Sequence, residues 1–469
     1  MADWAKTCTV CGLWVAAVPG VAFAAPTQSQ PVSTAFVAVN VLPMNSKQVL
    51  RNQTVLVEDG TIIGIGNSLT VPKDALVVSG NGTAYLSPGL ADMHTHSDTA
   101  EDMKVFLANG VTTVLNMGDA SNGFVARTRV ELNSGKIPGP HVYVAFKVDG
   151  SPRYGHFFVT TPEEARWSVR LAKTNGYDFI KVYNDLSPEC FSALVQESAA
   201  QHMAVVGHGV TRVGLRRQLE EGQIMIAHTE EFLYTVFTQS GDQPTDPAPD
   251  PREIPAAIAF VKRANAFVTA DLNTFAAIAH QWGKPQVVDR IMQMPEVRYL
   301  SPRWRISWRR ADYKERAGTI TARWEFLRRF TKDMNDAGIP LIVGTDAPAI
   351  PGLVPGFSLH DDLEALEGAG LTSYQALATA TRVPGEFVHR ALGDSAPFGT
   401  ITTGARADLV LSESNPLDDL STLRRPLGVM ANGKWYAAAE LKEFLEQVAL
   451  EYNRALRLNR AGSALLAHR

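Results

Sequence analysis

The chain has 469 residues, enough for one large domain and a smaller companion. A formal net charge of −4 leaves no basic footprint and excludes nucleic acid as the main partner. Apolar residues make up 45%, an ordinary supply for a buried core, and no internal apolar run reaches the roughly 18 residues of a membrane span.

Lys6 is followed by the apolar, small-residue stretch "TCTVCGLWVAAVPGVAFA", which ends in an A-x-A pattern at Ala22-Phe23-Ala24. This reads as a secretory signal over residues 1–25, and it places the mature protein in the periplasm or outside the cell. Asp3 makes the leader less positive than usual, so an ordinary apolar segment is the other reading. Cys8 and Cys11 form a C-x-x-C inside this stretch, but no partner pair follows it. Only Cys190 is then left, and stability must come from packing rather than disulfides.

Short strands are predicted from Ser33 to Tyr85, with a two-residue hairpin turn at Asp59-Gly60. "ADLVLSE" and "LGVMANGKWY", with a second such turn at Asn432-Gly433, repeat the pattern near the other end. Residues 33–86 and 398–436 are therefore expected to form one small β-sandwich domain. Between them lie eight apolar strand candidates: "GLADMHTH", "TTVLNMG", "HVYVAFKV", "FIKVYN", "AVVGHGV", "IMIAHTE", "AFVTADL" and "LIVGTDA". Helical stretches such as Pro162–Asn175 and Pro188–Gln201 separate them. Alternating strands and helices at this spacing predict parallel pairing, and eight units predict a (β/α)8 barrel over residues 87–397. The stretch "SYQALATATRVPGEFVHRAL" is expected to be the helix after the last strand. Two connections are long: the Pro/Asp-rich "GDQPTDPAPDPREIP" after strand six, and about Asn273 to Arg316 after strand seven. Loops of that length are expected to be lids or mobile segments. A helix from about Ala437 to Leu456 with a basic tail closes the chain at 437–469.

The chemistry-bearing residues fall at strand ends. Side chains alternate along a strand, so His94 and His96 face the same side and can grip one divalent cation. Taken alone, the H-x-H is a weak signal, and a polar strand end is the better explanation of that pair. Lys181, His208, His228 and Asp346, however, sit at the C-terminal ends of predicted strands four, five, six and eight. That is the face on which barrel enzymes build their active sites. A lysine in a buried strand costs several kcal/mol unless it is paired or neutral. For Asp346, a helix N-cap in "GTDAP" is the plainer alternative.

Together with "LSPGLADMHTH" and the tail "FGTITTGARADLVLSESNPLDD", this pattern resembles the amidohydrolase superfamily. The likeness is to its prolidase, Xaa-dipeptidase and imidazolonepropionase-like branches. The resemblance implies a binuclear metal-dependent hydrolase of small molecules, with zinc well suited and manganese, cobalt or nickel open. It implies that Lys181 takes up carbon dioxide as a carbamate that bridges two metals. His94, His96 and Asp346 would bind the more buried ion, and His208 and His228 the more exposed one. A metal-bridging hydroxide would attack the substrate, with Asp346 as the proton shuttle. Amide hydrolysis in dipeptides or N-acyl amino acids is the expected reaction. Ester, lactone or phosphotriester hydrolysis on the same centre, and a non-enzymatic metal-binding scaffold, are the alternatives. The resemblance leaves a homo-oligomer open.

Substrate contacts are less sharply marked. Gly155-His156 in "SPRYGHFF" matches a Gly-His that reaches the scissile group in relatives, so His156 is a candidate, with Arg153 and Tyr154 beside it. Several dipeptidase relatives carry an aromatic residue directly after the strand-five histidine; here Gly209 stands there, and Tyr234 is the candidate substitute. "SPRWRISWRRADYKER" is expected to be either a solvated amphipathic helix or an arginine-bearing lid.

Overall fold

The structure is a computed structural model and describes residues 33–153, 157–237, 247–393 and 397–467. The proposed leader, with Cys8 and Cys11, lies outside the described residues.

Eight parallel strands succeed one another in chain order around a barrel: Leu90–Thr95, Val111–Asn116, His141–Asp149, Phe179–Val182, Ala204–Gly207, Gln223–Ile226, Phe267–Thr269 and Leu341–Ile342. They coincide with the eight predicted segments. Most of their residues are buried, as expected of strands covered on both faces. The first strand meets the eighth through Met93 N donating to Val343 O at 3.1 Å and a parallel bridge between Thr95 and Ala347. The seventh and eighth strands are short, and in the segments that follow them Asp271 (φ 43°) and Asp346 (φ 55°) adopt the left-handed region.

Local chemistry starts the outer helices. Thr161 accepts from Glu164 N in a capping box and Pro162 occupies the first turn, so helix Pro162–Thr174 begins there. Its buried Ala165, Ser168, Val169 and Ala172 recur at helical spacing and form the face turned inward. Ser187 and Pro188 start helix Pro188–Ala200 in the same way. The predicted single helix near 373–392 is two, Ser373–Thr379 and Arg382–Leu392, broken where Thr381 leaves helical geometry.

The long connection after strand seven is folded rather than loose. It forms helices Leu272–Gln281, Pro285–Ile291 and Pro302–Arg310 ahead of Thr321–Asp336. Trp308 is fully buried, and its Nε1 donates to Pro348 O at 2.8 Å. Arg305, also buried, donates to the carbonyls of Leu300 and Arg298. This helix is therefore packed against the barrel rather than solvated. Part of the connection after strand six lies outside the described residues, and its C-terminal portion leads into helix Ile254–Ala264.

A second, mostly antiparallel sheet takes strands from both ends of the chain. Strand Tyr85–Pro88 runs between Ser33–Val41 and Leu409–Ser412 and so joins the two contributions. Phe36, Val55, Ile62, Leu86, Leu409 and Met430 form its buried core. Both predicted hairpin turns are present, with Asp59 and Gly60 at φ 46° and 75° and Asn432 and Gly433 at 49° and 76°. Helix Ala438–Ala467 runs past the expected Leu456 and docks on Ala100–Ala108, where Tyr452 donates to Asp102 Oδ1 at 2.8 Å. No helix among the described residues is long and apolar enough to cross a membrane.

Candidate metal centre

The structure brings His94, His96, Lys181, His208, His228 and Asp346 together at the C-terminal mouth of the barrel. His94 and Lys181 are fully buried, and the other four are at most 9% exposed. Donor atoms of His94, His96 and Asp346 lie within 4.8 Å of one another, as do those of His94, His208 and His228. His96 Nε2 is 2.8 Å from Asp346 Oδ1, and Lys181 Nζ is 3.1 Å from His94 Nε2. Two of these residues, His228 (φ 68°) and Asp346, hold backbone conformations that cost of order 1–3 kcal/mol each, a strain that clusters at functional sites.

Behind the imidazoles stands a layer of carboxylates that the strand-end pattern did not single out. His96 Nδ1 lies 2.8 Å from Asp119 Oδ2, and His208 Nδ1 lies 2.5 Å from Glu231 Oε1. Asp271 Oδ2 serves two rings, at 2.6 Å from His228 Nδ1 and 3.4 Å from His94 Nδ1. Lys147 Nζ holds the other oxygen of Asp119 at 3.0 Å. A carboxylate lies beside each Nδ1 at ion-pair distance, which favours the proton on that side and leaves Nε2 for the centre, the arrangement found around metal-binding histidines. Each carboxylate lies two or three residues beyond a strand end or a ligand histidine, and that offset was the available sequence signal.

Electrostatics agree with a cation centre. Burial, and then the Lys181 charge, hold His94 and His208 well below the usual histidine range, and burial also lowers His228. Burial together with the neighbouring cation of Lys147, its register partner on strand three, brings Lys181 down to about 7. Burial opposes charge on His96, but Asp119 and Asp346 on either side outweigh it and raise its pKa. Burial likewise opposes the Asp346 carboxylate, which His96 nevertheless holds below its ordinary value. Three neutral imidazoles, an ionised carboxylate and an amine that readily loses its proton suit a divalent cation, and His96, which its two carboxylate neighbours hold toward the protonated form, gives up its proton when it ligates.

A cavity of about 470 Å³ opens beside His208. Tyr234 and Arg153, both predicted substrate contacts, line it. Tyr154 and His156 lie outside the described residues. Gly209 has a steric reason: a Cβ there would come 2.7 Å from Thr235 Cγ2 and 3.0 Å from Glu231 Oε2. Its own N–H donates to Glu231 Oε2 at 3.0 Å, so the support of His208 takes the space of an aromatic side chain. Tyr183 instead packs on His208, with ring centroids 4.1 Å apart.

Comparison with known proteins agrees with this geometry. The amidohydrolase family model matches residues 85–436. The chain is 23% identical to an ochratoxinase of Aspergillus niger over 450 aligned residues, covering 81% of each protein. Among solved structures it is similar to a bottromycin amidohydrolase, with TM-score 0.69, 23% identity and coverage of 90% of this chain and 91% of that one. It is also similar to a Xaa-Pro dipeptidase solved with bound methionine, with TM-score 0.64, 18% identity and coverage of 86% and 100%. With the barrel, the cluster of candidate ligands and the family match in agreement, the chain belongs to the amidohydrolase family and is a hydrolase acting on carbon–nitrogen bonds.

Proposed function

We propose that the protein hydrolyses amide bonds in dipeptides or N-acyl amino acids with the help of two divalent cations. The convergence of six candidate ligands from strands one, four, five, six and eight carries this reading. His94, His96 and Asp346 would hold one cation, and His208 and His228 the other. Lys181 would stand between them as a carbamate: its neutral amine forms an N–C bond to carbon dioxide and releases one proton. Zinc suits imidazole and carboxylate-type donors. When bound, such cations supply Lewis acidity at the carbonyl and make water more acidic.

The chain's own residues do the rest. Asp119, Glu231 and Asp271 orient the imidazoles. Asp346 accepts the proton of the attacking water and returns it to the leaving nitrogen. The names of the bottromycin amidohydrolase and Xaa-Pro dipeptidase neighbours support amide cleavage, and residues 1–25 support export of the mature protein.

The test is turnover by metal-loaded protein across dipeptides, N-acyl amino acids, esters and lactones. Amide turnover is expected, and turnover confined to esters or lactones would overturn the reading. Lys181→Ala is expected to lose most activity together with bound metal. N-terminal sequencing of exported protein should find a start near Ala25, and an intact Met1 would remove the leader.

A further inference from the structure

The cavity beside His208 has two kinds of wall. On the barrel side it is bounded by Tyr183 and by Tyr234 on helix Glu231–Thr235. Facing them, the insertion after strand seven contributes Phe275, Ile278, Trp282 and Tyr313. Resting on the amide reading above, we propose that this cavity is a subsite for a bulky, neutral aromatic group on one side of the scissile bond, and that preferred substrates carry one.

The far wall is held in place before any ligand arrives. Phe275, Ile278 and Trp282 are 4%, 7% and 8% exposed. Trp282 Nε1 donates to Ala317 O at 2.9 Å, and the Arg316 guanidinium lies 6.0 Å from its ring centroid. Fixed rings form a low-entropy surface for another ring, which gains both apolar burial and edge or stacked contact. A small aliphatic group would leave most of that surface wet.

The arginines and Glu231 in the walls are engaged within the protein, while Asp185 and Glu230 also line the cavity. Arg316 is bonded to Asp312 at 2.6 Å, and Arg153 and Arg323 are each engaged within the protein. Glu231 is committed to His208 and to the Gly209 N–H. The cavity volume is in the range of small-molecule sites. Its contact with His208 and Tyr183 means that a group seated there carries its attached amide toward the candidate ligands.

The test uses full-length metal-loaded protein and three matched amides: N-benzoylglycine, N-acetylphenylalanine and N-acetylalanine. At least one aromatic member should exceed N-acetylalanine in kcat/KM by about 10-fold or more. Ile278→Trp, which fills the cavity, should remove that preference. Tyr234 is 39% exposed, so Tyr234→Ala can be made without opening the core; it should lower the same ratio about 3-fold and serves if the first variant does not fold. Equal kcat/KM for aromatic and aliphatic amides, or an unchanged ratio in both variants, would overturn the subsite and leave the amide reading standing. If no amide turns over, equilibrium titration of the two aromatic amides decides. Binding weakened about 10-fold by Ile278→Trp supports the subsite while the amide reading falls, and equal binding overturns both.

Discussion

Asp271 touches His94 and His228, which come from the first and sixth barrel strands, so one carboxylate supports rings assigned to both cation positions. Asp119 and Glu231 each support one ring. Asp271→Asn is therefore expected to weaken metal binding at both positions, by about 10–100-fold, whereas Asp119→Asn weakens one. Chelator competition with elemental analysis would read this as two lost equivalents against one; equal losses would contradict the shared role. The six candidate ligands were legible because such residues must stand at strand ends, and strands announce themselves by apolar runs. Their supporting carboxylates were not, because they lie just past the strands, Asp119 and Asp271 in loops and Glu231 at the start of a short helix, where no strand periodicity sets the path. Gly209 was legible only as a missing aromatic; its reason, the approach of Glu231 and Thr235, exists only in three dimensions.

At the scale of elements, the insertion after strand seven shows what chain length conceals. Read as a long loop, it is a set of short helices started by Pro285 and Pro302 and held by buried tryptophans. Their pattern is broken by polar residues at every few positions, so periodicity alone does not reveal them. Trp308 ties this layer to the eighth-strand loop through the carbonyl of Pro348, two residues from Asp346. Trp308→Ala should cost about 3–5 kcal/mol in chemical denaturation and also lower kcat, because the same contact steadies Asp346. Loss of stability with unchanged kcat in the folded fraction would detach the insertion from the chemistry.

Across the whole molecule, two buried groups tilt stability against pH in opposite directions. Burial holds Asp102, under the C-terminal helix, at about 6 against its usual 3.8. The folded protein keeps this proton where the unfolded chain has lost it, so the contribution of Asp102 falls as pH rises from about 4 to 6 and is flat above. Relative to wild type, Asp102→Asn should gain up to about 3 kcal/mol across that window. Burial, with the Arg424 charge, lowers His360 to about 4, and its Nε2 lies 2.9 Å from Asn109 O. Its contribution is complete above about 6.5 and is lost as pH falls to 4. His360→Gln should therefore gain relative stability in acid, by a similar amount. Denaturant titrations at pH 4, 5, 6 and 7 check both, and parallel curves for variant and wild type would refute them.

The small sheet has a consequence for how the protein is made. Tyr85–Pro88 emerges early, yet its partner Leu409–Ser412 arrives only after roughly 320 further residues. At about 5–20 residues per second, a ribosome needs on the order of 15–60 s to deliver it. Wherever the chain folds, any hairpins formed before that partner docks present an open strand edge, which invites pairing with a neighbouring chain. Conditions that slow the closing of the sheet should therefore favour aggregates nucleated at this edge, before any barrel defect is felt.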